Sequence, residues 1–214
     1  DLRQASGIFV VGIGMYGPTM MEWATEEQKK RYVPSIARGD EIWCQLFSEP
    51  AVGSDLAGIR TRAKKEGDEW VINGQKIWTS GAHLADYAIL VARSDPSVPK
   101  HKGLTFFFID MRAPGVEVRP IKQVSGGSEF NEVFFTDLRV PDSQRLGEVG
   151  QGWQVALTTL MHERLSVGGA FPTQVVFRIT GPLDPLLTAA GVARPGRLGA
   201  PLPPLGVPEV RPRL

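Results

Sequence analysis

Polar and apolar positions change rhythm twice along this chain. Up to about residue 43 the spacing is helical, with an apolar stretch around Ile8–Ile13 and Pro18 opening a turn of helix. Thr25 precedes Glu26-Glu27-Gln28-Lys29-Lys30-Arg31, a capping residue followed by early acids and late bases, as the helix dipole favours. Pro34 is placed to begin another turn, which Gly39 closes. From Ile42 to about Val149 short strand-like runs take over. Trp70-Val71-Ile72, Asn73-Gly74 and Gln75-Lys76-Ile77-Trp78 together predict a hairpin turning at Asn-Gly. Ala85–Ala92, Leu104–Asp110, Gly115–Ile121 and Glu132–Val140 predict further strands, separated by Gly and Pro turns. Closely spaced strands with no helix between them predict an antiparallel sandwich or barrel rather than a parallel sheet. Gly150-Gln151-Gly152 then leads into a helix from Trp153 to about Gly168. The fold class expected is α+β, an antiparallel β-barrel or sandwich middle domain flanked by helices.

Composition breaks at Phe171. Residues 172–214 hold nine of the 17 prolines, five arginines, no lysine and two acids, Asp184 and Glu209. Runs such as Ala200-Pro201-Leu202-Pro203-Pro204-Leu205 break helices and cannot donate to a sheet ladder. The expectation is a disordered or loosely packed Pro/Arg-rich tail. Two origins stay open: a gene read out of frame, which a Gly, Pro, Arg, Leu and Ala composition fits, or a genuine Pro-rich linker. The whole chain carries a net charge of +1, which gives no electrostatic case for nucleic acid or an anionic membrane. Its one cysteine excludes an internal disulfide framework and a Cys-based zinc site. No apolar run approaches the ~18 residues of a membrane span. Asp1 opens the chain without a basic or apolar leader behind it, so a piece of a longer protein is expected.

Some motifs fit only on paper. Gly12-Ile13-Gly14-Met15-Tyr16-Gly17 matches GxGxxG, with Glu41 where a ribose-binding acid would stand. A dinucleotide site needs that loop inside a βαβ unit, and here hairpin-linked strands follow. Glycines that let helices pack closely are the other reading. His162-Glu163 begins a zincin-like pattern, but Ser166 occupies the second histidine position. His83, His101 and His162 have no ligand-like spacing, so no metal is expected, and Cys44 reads as a small buried hydrophobe.

Other motifs reinforce one another. Cys44-Gln45-Leu46-Phe47-Ser48-Glu49-Pro50-Ala51-Val52-Gly53-Ser54-Asp55 runs from a strand into a Gly-Ser turn whose backbone N–H groups could converge on an anion. Lys76-Ile77-Trp78-Thr79-Ser80-Gly81 places an aromatic plane and two hydroxyls at a strand end, a suitable wall for a flat redox ring. With Thr25-Glu26-Glu27-Gln28-Lys29, Tyr32 and Pro34 before them, and Val140-Pro141, Gly150-Gln151-Gly152 and Glu163-Arg164 after, the order is specific. Over roughly residues 1–171 the chain resembles the acyl-CoA dehydrogenase family.

The resemblance implies the end of an N-terminal helical domain (1–43), a middle β domain (44–150), the first helix of a C-terminal bundle (151–171) and the tail (172–214). It implies FAD as cofactor. Gln45, Leu46, Phe47 and Ser48 would lie along the flavin, their backbone and the Ser48 side chain bonding its edge. Gly53 and Ser54 would lie near the pyrophosphate and the acyl-CoA, and Trp78, Thr79 and Ser80 against the ring. The implied reaction is α,β-dehydrogenation of an acyl-CoA thioester, with electrons passing to an electron-transfer flavoprotein. It also implies a homo-oligomeric intact protein in fatty-acid β-oxidation, cytoplasmic in a bacterium or in the mitochondrial matrix of a eukaryote. Glu163 matches the catalytic base of one branch of the family, with Arg164 beside the substrate; in most members the base lies later in the bundle. Helical spacing puts Glu163 on a stripe with Ala156, Leu160, Val167 and Ala170. An exposed Glu-Arg pair at the edge of an amphipathic helix is the alternative.

Three functional classes therefore stand: a truncated, weakly active flavoenzyme, a non-catalytic flavin- or CoA-binding or assembly module, and a Rossmann-type nicotinamide oxidoreductase. The break at Phe171 yields its own prediction. Sequencing the gene should reveal, in a neighbouring frame past Phe171, amphipathic helices with Lys, Glu and Tyr restored. If no frame encodes them and the tail resists protease as a folded unit, the out-of-frame origin is wrong.

Overall fold

The structure, a computed structural model, describes residues 9–167. The expectations for residues before 9, for the last helix beyond 167 and for the tail at 172–214 lie outside the described residues.

The chain enters through α1 (Val10–Tyr16), wound as a π-helix, which runs directly into α2 (Gly17–Trp23) with Pro18 in its first turn. Next, α3 (Glu26–Arg38) starts on a reciprocal cap. Thr25 Oγ1 accepts from the Gln28 N–H at 3.2 Å, and Gln28 Oε1 accepts from the Thr25 N–H at 2.9 Å. Pro34 does not begin a new turn as expected but sits inside α3. The carbonyl it leaves without a donor belongs to exposed Lys30, while Val33 and Ile36 are buried and hold the helix down on both sides.

Eight strands follow: β1 (Trp43–Leu46), β2 (Arg62–Glu66), β3 (Glu69–Ser80), β4 (Tyr87–Arg93), β5 (Leu104–Asp110), β6 (Val116–Pro120), β7 (Phe130–Pro141) and β8 (Arg145–Leu146). The order is β6-β7-β3-β2-β4-β5-β8, with β1 beside β4 off that path. The path has two ends, so the α+β expectation holds as an open sheet folded on itself rather than a closed barrel. Most pairings are antiparallel, but β1 runs parallel to β4, and β2 meets β4 in parallel at Arg62 and Arg93. Parallel pairing arises because β1 lies apart in sequence from β4, separated by the whole β2–β3 hairpin.

That hairpin does not turn where Asn-Gly predicted. Strand β3 runs unbroken through Asn73-Gly74, and the turn is the two-residue loop Gly67-Asp68 between paired Glu66 and Glu69, with Gly67 at φ 63°. Asn73 serves a bulge instead. Opposite it β7 carries one extra residue, and Asp137 stands at φ 48°. The Asn73 side chain donates to Asp137 Oδ1 at 3.0 Å and accepts from the Asp137 N–H at 2.9 Å.

Two cores result. Cys44, Leu46, Ala63, Trp70, Ile72, Leu90, Phe107 and Val133 pack between the two halves of the sheet. Tyr16, Met20, Val33, Trp43, Ile89, Phe106, Phe108 and Val155 pack between the β1-β4-β5-β8 half and the helices. Strands β4 and β5 are therefore buried on both faces, which accounts for their unbroken apolar runs.

The final helix, α4 (Gly152–Val167), closes the helical layer against α1 and α2. Trp23 Nε1 donates to Thr158 Oγ1 at 3.0 Å and Thr19 Oγ1 to Thr159 Oγ1 at 3.2 Å. The GxGxxG motif lies wholly within α1 and α2, so no phosphate-binding loop of a βαβ unit exists there and the nicotinamide reading falls. Its middle glycine is a contact: Ser166 Oγ of α4 donates to Gly14 O at 2.8 Å, and a Cβ on Gly14 would stand 2.6 Å from Ser166 Oγ. Gly14→Ala should therefore cost about 1–3 kcal/mol, the usual size of overpacking. Chemical denaturation measures it, and an unchanged midpoint would remove Gly14 from the crossing.

Candidate active site

Strand β1 sets the geometry because its side chains alternate between the two cores. Trp43 and Phe47 point to the helix layer, Cys44 and Leu46 to the space between the half-sheets. Gln45 shares the phase of Trp43 and therefore meets α4: its Nε2 donates to Glu163 Oε2 at 3.3 Å. Glu163 is half-buried while Arg164 is exposed, so the two side chains diverge rather than forming a paired edge. Ala156 of the same stripe is buried and Leu160 half-buried. Further round α4, Leu157, Met161 and Leu165 form an exposed apolar row at helical spacing.

The other end of the segment is fastened to β3. Ser48 O accepts from the Ile77 N–H at 3.0 Å, and Phe47 O accepts from Lys76 Nζ at 3.1 Å. Lys76 continues the inward alternation of Trp70 and Ile72 and is fully buried. Directly after it β3 gains one residue over β7, between the pairs Lys76–Val133 and Thr79–Asn131. This bulge reverses the alternation. Trp78, due to point inward, is thrown outward with 58% of its surface exposed and the edge of Phe130 at 6.3 Å between centroids. Its φ is 60°, a left-handed backbone that bulky residues rarely adopt and that the bulge imposes here. Thr79 turns inward, and its hydroxyl is buried without a partner. Ser80 is exposed at the strand end.

The loop that follows β1 is held by Glu49. Its carboxylate accepts from the Arg60 N–H at 2.6 Å, the Thr61 N–H at 2.9 Å and Lys76 Nζ at 2.9 Å. Burial alone would raise the Glu49 carboxyl, but the Lys76 charge and the bonds from Arg60 and Thr61 together hold it below its usual range. Burial pushes Lys76 down to about 8, against the Glu49 carboxylate, whose charge and hydrogen bond hold it up. Gly53 and Ser54 are exposed on this loop, and Lys100 pairs with Asp55 at 2.8 Å beside them.

The expected site residues thus fall into groups. Gln45, Ser48, Trp78 and Thr79 are joined through one strand end and one bulge, and Glu163 is tied to them by Gln45. Leu46 and Phe47 have core side chains, so only their backbone is available to a ligand. Sequence reasoning gave Glu49 and Lys76 no role, although an inward-phased lysine three residues after Asn73 was the visible signal. Cys44 is buried as expected, and burial pushes its thiol up. Among the described residues no three His, Cys, Asp or Glu side chains gather as metal ligands, and no helix is long and apolar enough to cross a membrane.

Residues 44–138 match the model of the acyl-CoA dehydrogenase middle domain. Acyl-CoA dehydrogenase FadE34 of Mycobacterium tuberculosis is 46% identical over 185 residues, covering 85% of this chain and 26% of that protein. A solved steroid ACAD, the Tcur3481-Tcur3483 G363A variant, superimposes with a TM-score of 0.72 at 43% identity, covering 74% of this chain and 42% of that one. A glutaryl-CoA dehydrogenase from Mycobacterium smegmatis, solved with FADH2, gives 0.63 at 31% identity over 72% of this chain and 39% of its own. The chain spans less than half the length of each of these proteins. The matched middle domain, the strand order and the flanking helices together place the chain in the acyl-CoA dehydrogenase family.

Proposed function

We propose that the protein carrying this chain is an FAD-dependent acyl-CoA dehydrogenase, forming 2-enoyl-CoA thioesters and passing electrons to an electron-transfer flavoprotein. The observation that carries the reading is the Gln45–Glu163 contact, which joins the strand expected beside the cofactor to the expected base at 3.3 Å. The residues present fit a flavin. Trp78 offers an exposed indole next in sequence to Ile77, whose N–H holds Ser48 O, and the buried, unpartnered Thr79 hydroxyl follows it on the opposite face of the strand. Gln45 and Ser48 lie ~10 Å apart along an extended chain, a span suited to a fused three-ring system.

Glu163 takes the proton from the α-carbon of the thioester. The electron pair released there forms the new Cα–Cβ double bond as the β-hydrogen departs with its own pair. Flavin, when bound, supplies the acceptor for that hydride. Gln45 holds the carboxylate oxygen in place, and Arg164 and Ser54 are each exposed and so open to a CoA thioester. Identity is higher to the steroid ACAD, 43%, than to the glutaryl-CoA dehydrogenase, 31%, which favours a bulky steroid-derived acyl group. The exposed row Leu157, Met161 and Leu165 suits a helical bundle and an oligomer core in the intact protein.

Three measurements test this. Purified chain should be yellow with flavin absorbance; a colourless chain that takes up no FAD favours the non-catalytic module. Trp78→Ala should weaken FAD retention, since stacking adds roughly 0.5–1.5 kcal/mol beyond area burial. In a version extended to the length of the relatives, Glu163→Gln should slow single-turnover flavin reduction by ~10²–10⁴ with FAD affinity unchanged. The acyl-CoA panel includes a steroid-derived thioester. Wild-type flavin reduction by Glu163→Gln would return the base to the later bundle.

A further inference from the structure

A buried lysine in a strand core is costly unless its charge is paired and hydrogen-bonded. Lys76 contacts two acceptors, Glu49 Oε1 at 2.9 Å and Phe47 O at 3.1 Å. The second acceptor is the informative one. Phe47 C=O and Ser48 N–H are two ends of one peptide group, so a cation on the oxygen draws electron density from the nitrogen and sharpens the N–H as a donor. The next carbonyl, Ser48 O, is fixed by the Ile77 N–H at 3.0 Å, so the peptide that follows the polarised one is held and limits its rotation. Glu49 holds the ammonium in place and is itself anchored by the Arg60 and Thr61 N–H groups of the loop that carries Ser54.

The geometry points to Lys76 as a positioning residue that polarises the Phe47–Ser48 peptide, strengthening the Ser48 N–H as a donor to the edge of the flavin. This rests on the flavin reading above. A sharpened donor binds a negatively charged reduced ring more tightly than a neutral oxidised one, so the same contact would raise the cofactor's reduction potential. A plain structural ion pair would do neither.

Three charged groups govern the titration: Lys76, Glu49 and the Arg93 guanidinium, which also senses the Glu49 charge. Burial brings Lys76 to about 8. Its folded value lies below its ordinary 10.5, so between the two the unfolded chain holds the extra proton and stability rises with pH. Glu49 is depressed, so its contribution is complete above about 4.5 and is lost as pH falls through its lower folded value.

The test follows the Ser48 amide by NMR in the flavin-free chain while pH is raised from 6 to 10. The Ser48 amide proton should move upfield with the same midpoint as the Lys76 Cε and Nζ signals, and Lys76→Met should hold it at the high-pH position throughout. With FAD bound, Lys76→Met should lower the two-electron potential by about 30 mV, a tenfold loss of preference for the reduced ring. A Ser48 amide that ignores the Lys76 titration overturns the proposal, and so does an unchanged potential in a folded Lys76→Met protein. If Lys76→Met does not fold, the wild-type titration alone decides. If the chain binds no FAD, the flavin reading fails while the amide experiment still reports on the peptide.

Discussion

Strand β1 has to satisfy two cores with four residues, and the arrangement of the molecule depends on that constraint. Trp43 must bury into the aromatic cluster with Tyr16, Tyr32, Tyr87 and Phe108, while Cys44 and Leu46 must bury between the half-sheets. A slip of one residue would exchange these environments, putting an indole where a thiol fits. Register is therefore fixed tightly, and parallel pairing with β4 through four consecutive partners records it. Gln45 faces α4, and Phe47 and Ser48 reach β3, as consequences of the same phase. Residues far apart in the described chain, Glu163 and Lys76 among them, thus meet along one short strand because packing leaves it no other register.

The buried pair Lys76–Glu49 sits at the seam between strand and loop. Taking both charges out of water is expensive, and their mutual attraction offsets this only with the further bonds from Arg60, Thr61 and the Phe47 carbonyl. An apolar pair of equal volume would serve stability as well or better. What it could not do is fix a turn, a strand end and a bulge to one another with directional bonds. The bulge behind Lys76 does related work, converting an inward position into the exposed indole of Trp78 and accepting left-handed strain in return.

Much of this was legible in the residues. Apolar runs gave β4 and β5 almost to the residue, and Thr25 with Gln28 announced the start of α3. The family motifs single out Ser48, Trp78 and Glu163, and strand β1 and the β3 bulge link the three. What misled was local chemistry overruled by distant partners. Asn73-Gly74 has a strong turn preference, yet Asp137 across the sheet and Thr61, whose Cα would lie 2.7 Å from a Cβ on Gly74, use that dipeptide inside a straight strand. Pro34 likewise gave way to the burial of Val33 and Ile36. The parallel pairing of β1 and the alliance of Lys76 with Glu49 join residues 27 or more apart, and no local pattern encodes such a distance.

An open sheet leaves margins, and here they are guarded unequally. Strand β8 is two residues long, too short to template another chain. Strand β6 is longer, but it ends in Pro120 and bears Glu117 and Arg119, which pair with each other at 2.7 Å. An incoming strand would have to bury those charges and meet a position with no N–H. Strand-on-strand polymerisation through this margin is thereby disfavoured, so a molecule that must fold its sheet open can remain a discrete particle.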